Sequence, residues 1–270
     1  MTSDDIKSMN LEEVKSVCKS LNLPLYRASQ IFSWLQKEGV SDYDEMTNIP
    51  KSLRQTLSEN YPIRSCEIEL KRVSKTDGTV KYLFKLYDGN FIESVLMKYK
   101  YGYTLCISSQ VGCKMGCMFC ASTKGGCVRN LTAGEMLSQI HAAQRDMNVR
   151  VSHVVMMGMG EPLDNFDNAM KFLSLVGDEN GLNLGMRNIS LSTCGIVPKI
   201  YELMDKELQI TLSVSLHAPE DELRSKIMPI NRKYHLEELI EACKKYTKKT
   251  SRRISFEYAM ISGLNDTPEC

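Results

Sequence analysis

The sequence predicts an α/β protein: a partial (β/α) barrel, C-terminally incomplete, preceded by a small helical domain and a short β-hairpin region. Three observations carry this. Residues 1–62 show helical periodicity with capping signals, residues 63–100 alternate with period two around Asp-Gly turns, and residues 101–270 alternate strand-like with helix-like segments. A 270-residue chain suits one large domain with an accessory piece and is long enough to bury a core.

In the helical domain, Asn10 followed by Glu13 is a capping pair that opens a helix over Leu11, Val14, Val17 and Cys18. A second helix carries Ile31, Phe32, Trp34 and Leu35 and ends near Gly39, and Pro50 stands where a third begins. Residues 1 to 60 hold 7 basic and 9 acidic side chains, a net of −2, which gives no sign of RNA binding. Strands follow at Cys66–Val73, Thr79–Tyr87 and Phe91–Lys98, with Asp77-Gly78 and Asp88-Gly89 as hairpin turns. Barrel strands are expected at Thr104–Ser108, His153–Met157, Asn188–Thr193, Thr211–Leu216 and Ile254–Ile261. Helices are expected around 132–148, 166–176, 198–206 and 236–249, and this alternation argues for parallel βαβ units. Five strands in about 165 residues fall short of a closed eight-stranded barrel, which takes about 250. The chain stops at Cys270, where another helix is expected, and this predicts a C-terminal part beyond it.

Composition excludes several classes. The 43% hydrophobic and 25% charged fractions are those of a soluble globular protein, so wholesale disorder is excluded. No run of about 18 apolar residues exists, which excludes a transmembrane helix. Met1 to Asn10 has no apolar signal core, so a cytoplasmic location is expected. With 34 basic against 33 acidic residues, a nucleic-acid partner must be argued from local patches. One exists: Arg224 to Arg253 holds 10 Lys/Arg and 3 Asp/Glu, a net of +7. It suits phosphate contact, and a solvated helix face is the alternative.

Ten cysteines stand out. Without a signal peptide they read as metal ligands before disulfides. Cys113, Cys117 and Cys120 form C-x3-C-x2-C directly after the first barrel strand, at the C-terminal mouth where barrel enzymes do their chemistry. Three thiolates on one loop can hold three irons of a [4Fe–4S] cluster and leave the fourth open to a ligand. The alternatives are a structural zinc site with Cys127 as fourth ligand, or buried unliganded thiols.

Other residues gather at strand ends. Gly160-Glu161-Pro162 follows the second barrel strand; its carboxylate can bind an amino group, or it is a tight turn with a helix-starting acid. Ser192 ends the third strand, and Ser215, Leu216 and His217 end the fourth; the serines and the histidine offer hydrogen bonds, or these are ordinary strand-end residues. Glu93 in Phe91-Ile92-Glu93-Ser94-Val95 is a candidate base of raised pKa, or a solvent-face residue on an edge strand. Cys106 reads as a core thiol. His141, His153 and His235 fall in no motif and read as structural.

C-x3-C-x2-C with Phe119 before its last cysteine resembles the radical S-adenosylmethionine (SAM) signature. The stretch from Gly102-Tyr103-Thr104-Leu105-Cys106 to Gln110-Val111-Gly112-Cys113 resembles the RlmN/Cfr family of RNA adenine methyltransferases. So do Arg129-Asn130-Leu131-Thr132, Met157-Gly158-Met159-Gly160-Glu161-Pro162, Ser215-Leu216-His217-Ala218 and the run from Leu223-Arg224 to Pro229-Ile230-Asn231. The resemblance implies a partial barrel of the radical-SAM type over 101–270. It implies a [4Fe–4S] cluster on Cys113, Cys117 and Cys120, and SAM on Gly160, Glu161, Ser192, Ser215, Leu216 and His217. It implies Glu93 as proton acceptor and Cys106 as a thiol that works with a second, C-terminal cysteine. In the family that second cysteine is methylated by SAM, a 5′-deoxyadenosyl radical takes hydrogen from the methyl group, and the carbon adds to adenine. A thiolate then resolves the adduct as a disulfide.

The implied targets are carbon 2 of adenine in 23S ribosomal RNA and in tRNA. A carbon-8 methylating branch, tied to antibiotic resistance, is the nearest rival. Pro162 and Arg129-Asn130-Leu131 stand closer to the carbon-2 group. The methyl-carrying cysteine has no match here, since Cys270 follows Asn265-Asp266-Thr267-Pro268-Glu269 in the wrong context. A late SAM-contacting asparagine also has no match, so the chain is expected to hold the cluster without completing methyl transfer. The resemblance further implies a monomer served by an electron donor such as flavodoxin or ferredoxin. Rivals of other classes are a zinc-stabilised RNA-binding module and a radical enzyme acting on a small molecule.

Overall fold

The computed structural model describes residues 5–270; residues 1–4, which open the expected helical domain, lie outside the described residues. In chain order the elements are α1 (Leu11–Ser20), α2 (Tyr26–Ser33), α3 (Lys51–Asn60), β1 (Glu67–Val73), β2 (Val80–Lys85), β3 (Phe91–Tyr99), β4 (Gly102–Cys106), β5 (Gln110–Gly112) and β6 (Cys127–Asn130). They continue with α4 (Ala133–Met147), β7 (Val151–Met156), α5 (Phe166–Val176), β8 (Ile189–Thr193), α6 (Val197–Asp205), β9 (Thr211–Ser215), α7 (Asp221–Ile227), α8 (Leu236–Thr250) and β10 (Ile254–Glu257). Two compact units result. One holds the described residues up to Ile107 with Leu131–His153 and Asp167–Gly185; the other holds Ser108–Asn130, Val154–Phe166 and Met186–Cys270.

Local chemistry explains the helices of the first unit. At α1 the Asn10 side chain accepts the Glu13 N–H at 2.9 Å while the Glu13 carboxylate accepts the Asn10 N–H at 2.7 Å. This is the expected capping box, worth about 1 kcal/mol. The chain leaves α2 through a wide helical turn, Trp34–Glu38, which Gly39 closes in the left-handed region. Pro50 caps α3 as expected. Thr132 caps α4 with its own capping box, and its hydroxyl also donates to Asp5 at 2.8 Å. Asp5 further accepts the Ser8 hydroxyl and the N–H groups of Lys7 and Arg64. Burial pushes this carboxyl up, and those four bonds pull the other way.

The sheet of this unit runs β1-β2-β3-β4-β7. The pairs β1–β2, β2–β3 and β3–β4 are antiparallel. Alternation puts Val80, Tyr82 and Phe84 of β2, and Ile92, Ser94 and Leu96 of β3, into the core. β3 lies between β2 and β4, so Glu93 is not on an edge strand; the exposed edge is β1. The hairpin residues 63–100 therefore extend the sheet through β3.

The second unit runs β7-β8-β9-β10, β7 passing from one unit into the other, and its three pairings are parallel. Buried Leu191, Leu212 and Val214 on these strands, with Val197, Ile200, Leu203, Leu239 and Tyr246 on α6 and α8, supply its apolar core. The fifth strand was expected to reach Ile261 but ends at Glu257. Beyond it side chains take over the backbone bonds: the Ala259 N–H goes to His217 Nδ1 and the Ile261 N–H to Asn265 Oδ1. Two elements were not anticipated, the β5–β6 ribbon and α7. Among the described residues no helix is long and apolar enough to cross a membrane.

Candidate active site

At the C-terminal ends of the parallel strands, the second unit encloses a cavity of about 300 Å³. Its walls include all three clustered cysteines, together with Gly160, Glu161, Ser192, Ser215 and His217. The cysteine loop and the ends of three strands, carrying these five residues, thus line one cavity.

The cysteine loop is held by main-chain bonds. The Cys113 N–H donates to the Gly126 carbonyl at 2.9 Å, Cys120 to Cys117 at 3.0 Å, and Met118 to Ile227 at 2.8 Å. Gly112 sits at φ +76°, and a Cβ there would run into the Gly126 carbonyl, so the β5–β6 ribbon can close under the loop only on glycine. Burial pushes the Cys113 thiol up to about 11 and Cys117 to about 12, with neighbouring thiols and Glu161 adding to the rise. Both are protonated at neutral pH, and binding a metal must expel those protons.

Among the described residues no three His, Cys, Asp or Glu side chains are drawn together around a single metal ion. A four-coordinate zinc needs that convergence, with Zn–S about 2.3 Å. An iron–sulfur cluster does not, because each thiolate meets a different iron. The donor set fits such a cluster: three thiols from one loop face one cavity, with polar strand ends beside them. Cys127, the alternative fourth ligand, lies in β6 opposite Gly112.

Glu161 is 3% exposed. Its Oε2 accepts the Cys194 N–H at 2.7 Å and its Oε1 the Leu163 N–H at 3.0 Å. Burial pushes this carboxyl up, and the two N–H bonds oppose that. Its own N–H donates to Gln110 Oε1 at 2.9 Å. The carboxylate thus ties the second strand's end to the third as well as lining the cavity. His217 stands at φ +57°, a conformation held by surrounding bonds. Its Nδ1 accepts the Ala259 N–H at 2.9 Å, which fixes the proton on Nε2, and its ring meets Phe119 edge-on at 4.7 Å. Burial, then the Arg224 charge, lower it to about 4. Leu216 does not line the cavity; its N–H donates to the Glu257 carbonyl and its own carbonyl accepts from Arg224.

Two residues escaped the sequence reading. Glu257 lines the cavity, and its Oε2 accepts the hydroxyls of Ser192 at 3.2 Å and Ser215 at 3.3 Å. The expected strand ran on to Ile261 and so placed Glu257 in mid-strand; the observed strand ends at Glu257, level with the two serines near the ends of theirs. Arg224 was counted with the basic stretch, yet it is fully buried and cannot reach RNA.

Glu93 and Cys106 belong to the first unit. Glu93 is half-exposed and pairs with Lys81 at 2.8 Å. Cys106 is partly buried and lies opposite Val95. Directly opposed residues share a face, and Glu93 is two positions from Val95, so Glu93 and Cys106 share a face as diagonal neighbours, roughly 7–8 Å apart. His141 is buried with Nε2 3.1 Å from the Gln36 carbonyl, His153 packs on Tyr101, and His235 precedes α8 near Asp221.

A three-thiol loop at the mouth of parallel strands is the site of an iron–sulfur enzyme built on a partial barrel. The comparisons sharpen that class. The radical SAM superfamily matches residues 107–269, and the ribosomal RNA large subunit methyltransferase N-terminal domain matches residues 5–63. A probable dual-specificity RNA methyltransferase RlmN from Clostridium novyi is 53% identical over 265 residues, 98% of this chain and 77% of that protein. A Clostridium botulinum protein of the same description is 55% identical, over 98% of this chain and 76% of its own length. A radical SAM methyltransferase from Sphaerobacter thermophilus has a crystal structure that superposes with a TM-score of 0.93 at 43% identity, covering 98% of this chain and 79% of that one. The chain belongs to the RlmN family of the radical SAM superfamily. With that membership come a [4Fe–4S] cluster and SAM as cofactors.

Proposed function

We propose that this chain serves methylation of adenine carbon 2 in 23S ribosomal RNA and in tRNA, as a monomer reduced by a flavodoxin- or ferredoxin-like donor in the cytoplasm. The observation that carries the reading is the meeting of three thiols with Gly160, Glu161, Ser192, Ser215 and His217 around one cavity. The RNA methyltransferase description of relatives over 52% identical supports the substrate class. In this reading residues 1–62 are a helical accessory domain, 63–100 a hairpin extension and 101–270 the radical-SAM barrel.

Cys113, Cys117 and Cys120 hold the cluster, which when bound supplies the electron for radical formation from SAM. Gly160, Glu161, Ser192, Ser215 and His217 hold SAM, Leu216 lies off the cavity wall and fixes the strand end beside them, and the Glu257 carboxylate, fixed by two serine hydroxyls, offers its remaining oxygen to a ligand hydroxyl or ammonium. Glu93 takes the proton from adenine carbon 2. Cys106 gives its thiolate to the sulfur of the methyl-carrying cysteine, so that the disulfide forms as the bond from that sulfur to the carbon on adenine breaks, and the pair left on that carbon takes up a proton. No described cysteine is assigned the methyl-carrying role, which this reading places outside these residues.

Anaerobic reconstitution with iron and sulfide, followed by paramagnetic resonance of the reduced protein with and without SAM, tests the reading. A [4Fe–4S] signal that changes with SAM and disappears in Cys117→Ala is expected. Stoichiometric zinc, or a cluster indifferent to SAM, overturns it. Nucleoside analysis of RNA from the same reaction separates the branches: 8-methyladenosine favours carbon-8 chemistry, 2-methyladenosine would place a methyl carrier within this chain, and no methylated product fits a chain without one.

A further inference from the structure

Arg224 is the largest fully buried side chain among the described residues. Its guanidinium is a hub. Nε donates to the Leu216 carbonyl at 3.1 Å, Nη2 to the carbonyls of Cys194 at 2.8 Å and Ser215 at 2.9 Å, and Nη1 to Asn231 Oδ1 at 2.9 Å. Cys194 directly follows β8, and Ser215 ends β9 with Leu216 directly after it. One fork thus ties two strand ends that flank the cavity.

Every one of those acceptors is neutral. Asp221, at the start of the same helix, spends Oδ1 on Asn231 Nδ2 and the Leu236 N–H, both at 2.8 Å. Asp221 therefore reaches Arg224 through Asn231 and by charge, not by a direct bond, and a buried guanidinium with no carboxylate in direct contact is unfavourable, since buried charges are retained where they are paired. No anion stands among the hydrogen-bond partners, but the cysteine loop lies next to the helix. α7, which carries Arg224, also carries Leu223 and Ile227, and Met115 and Cys117 of the cysteine loop pack against that apolar group. The Met118 N–H to Ile227 carbonyl bond fastens the loop to the same helix at 2.8 Å. A cluster held by three thiolates is net negative, and one unit more negative after reduction.

We propose that Arg224 is the fixed counter-charge of the cysteine loop: a positioning residue whose fork holds the ends of β8 and β9 while its charge offsets the thiolate-held cluster and eases its reduction. This rests on the assignment of Cys113, Cys117 and Cys120 as the cluster's ligands. It removes Arg224 from RNA recognition and gives the buried cation a function at the cavity.

The test compares Arg224→Gln and Arg224→Lys with the unaltered chain, each reconstituted anaerobically. Iron and sulfide content, the cluster's reduction midpoint followed by paramagnetic resonance, SAM affinity by calorimetry and the melting curve are read for each. Arg224→Gln should fill with iron yet become harder to reduce, by at least tenfold in the reduction equilibrium, or 59 mV for one electron. Arg224→Lys keeps charge but not the fork, so its midpoint should stay within a few-fold while SAM affinity falls at least tenfold. An Arg224→Gln chain with unchanged midpoint overturns the proposal. If that variant does not fold, Arg224→Lys decides: a midpoint displaced tenfold, or SAM affinity that stays intact, overturns it. Failure of the unaltered chain to take up a cluster refutes the ligand assignment instead, a different result from either.

Discussion

Gly160→Ala is the sharpest test of how the cavity is built. Gly160 sits at φ +100°, and an added Cβ would lie 2.5 Å from Gln110 Cβ, 2.7 Å from its backbone nitrogen and 2.8 Å from its Cγ. Gln110 has nowhere to go. Its Nε2 donates to Asn130 at 2.7 Å and Asp164 at 2.9 Å, its Oε1 accepts the Glu161 N–H, and its own N–H donates to the Met159 carbonyl at 3.1 Å. Overpacking costs about 1–3 kcal/mol and the positive φ about 1–3 more. The sum, about 2–6 kcal/mol, corresponds to a melting temperature lowered by at least about 4 °C at roughly 2–4 °C per kcal/mol. Because the strain falls on the residue before Glu161, SAM affinity should fall as well. Gly78→Ala is the control: φ is +72° and nothing lies within 4 Å of the added Cβ, so only conformational strain of about 1–2 kcal/mol remains. Differential scanning calorimetry and SAM titration read both effects. A Gly160→Ala chain that melts no lower than Gly78→Ala, and binds SAM as before, would refute the reasoning.

Three further outcomes follow from the same geometry. His217 is held near 4, below its ordinary 6.5, so stability is complete above pH 6.5 and is lost as pH falls toward 4. That loss is on the order of 3 kcal/mol, and urea midpoints at pH 7.5 and 4.5 should converge for His217→Gln relative to the unaltered chain. On α8, Lys249 pairs with Asp205 at 2.6 Å and Lys245 with Glu241 at 3.5 Å, whereas Lys244 and Lys248 show no ion pair among the described residues. Replacing Lys244 and Lys248 with Gln should flatten the slope of log affinity for RNA against log salt by about 1.4–1.8, and an unchanged slope rejects this face as the contact. Asp5→Asn deprives four donors of a carboxylate and should cost about 2–3 kcal/mol in a thermal melt; a cost under half of that would show the cluster relaxes around the amide.

What could be seen in the sequence follows the range of the forces involved. The capping box at Asn10 and Glu13 joins residues three apart, and the alternation of Val80, Tyr82 and Phe84 is a property of one strand, so both were legible. The cysteine spacing was legible because three thiols on one loop need no tertiary information. The β5–β6 ribbon was not: its strands are 3 and 4 residues long, too short to show a period, and their pairing spans the cysteine loop. Nor could charge counting separate Arg224 from Arg232, Lys233 or the lysines of α8. Its burial is decided by Cys194, Ser215 and Leu216, carbonyls that parallel strands bring together and whose main-chain oxygens leave no mark in side-chain chemistry. The same limit hid the inward engagement of Glu161, because the Cys194 N–H it accepts lies 33 residues away. Side-chain chemistry names the candidate ligands of this site, but the polar framework around them is main chain. That framework becomes visible only once strand register is set, and substitutions at Gly160 and Arg224 probe it where changes at the cysteines cannot.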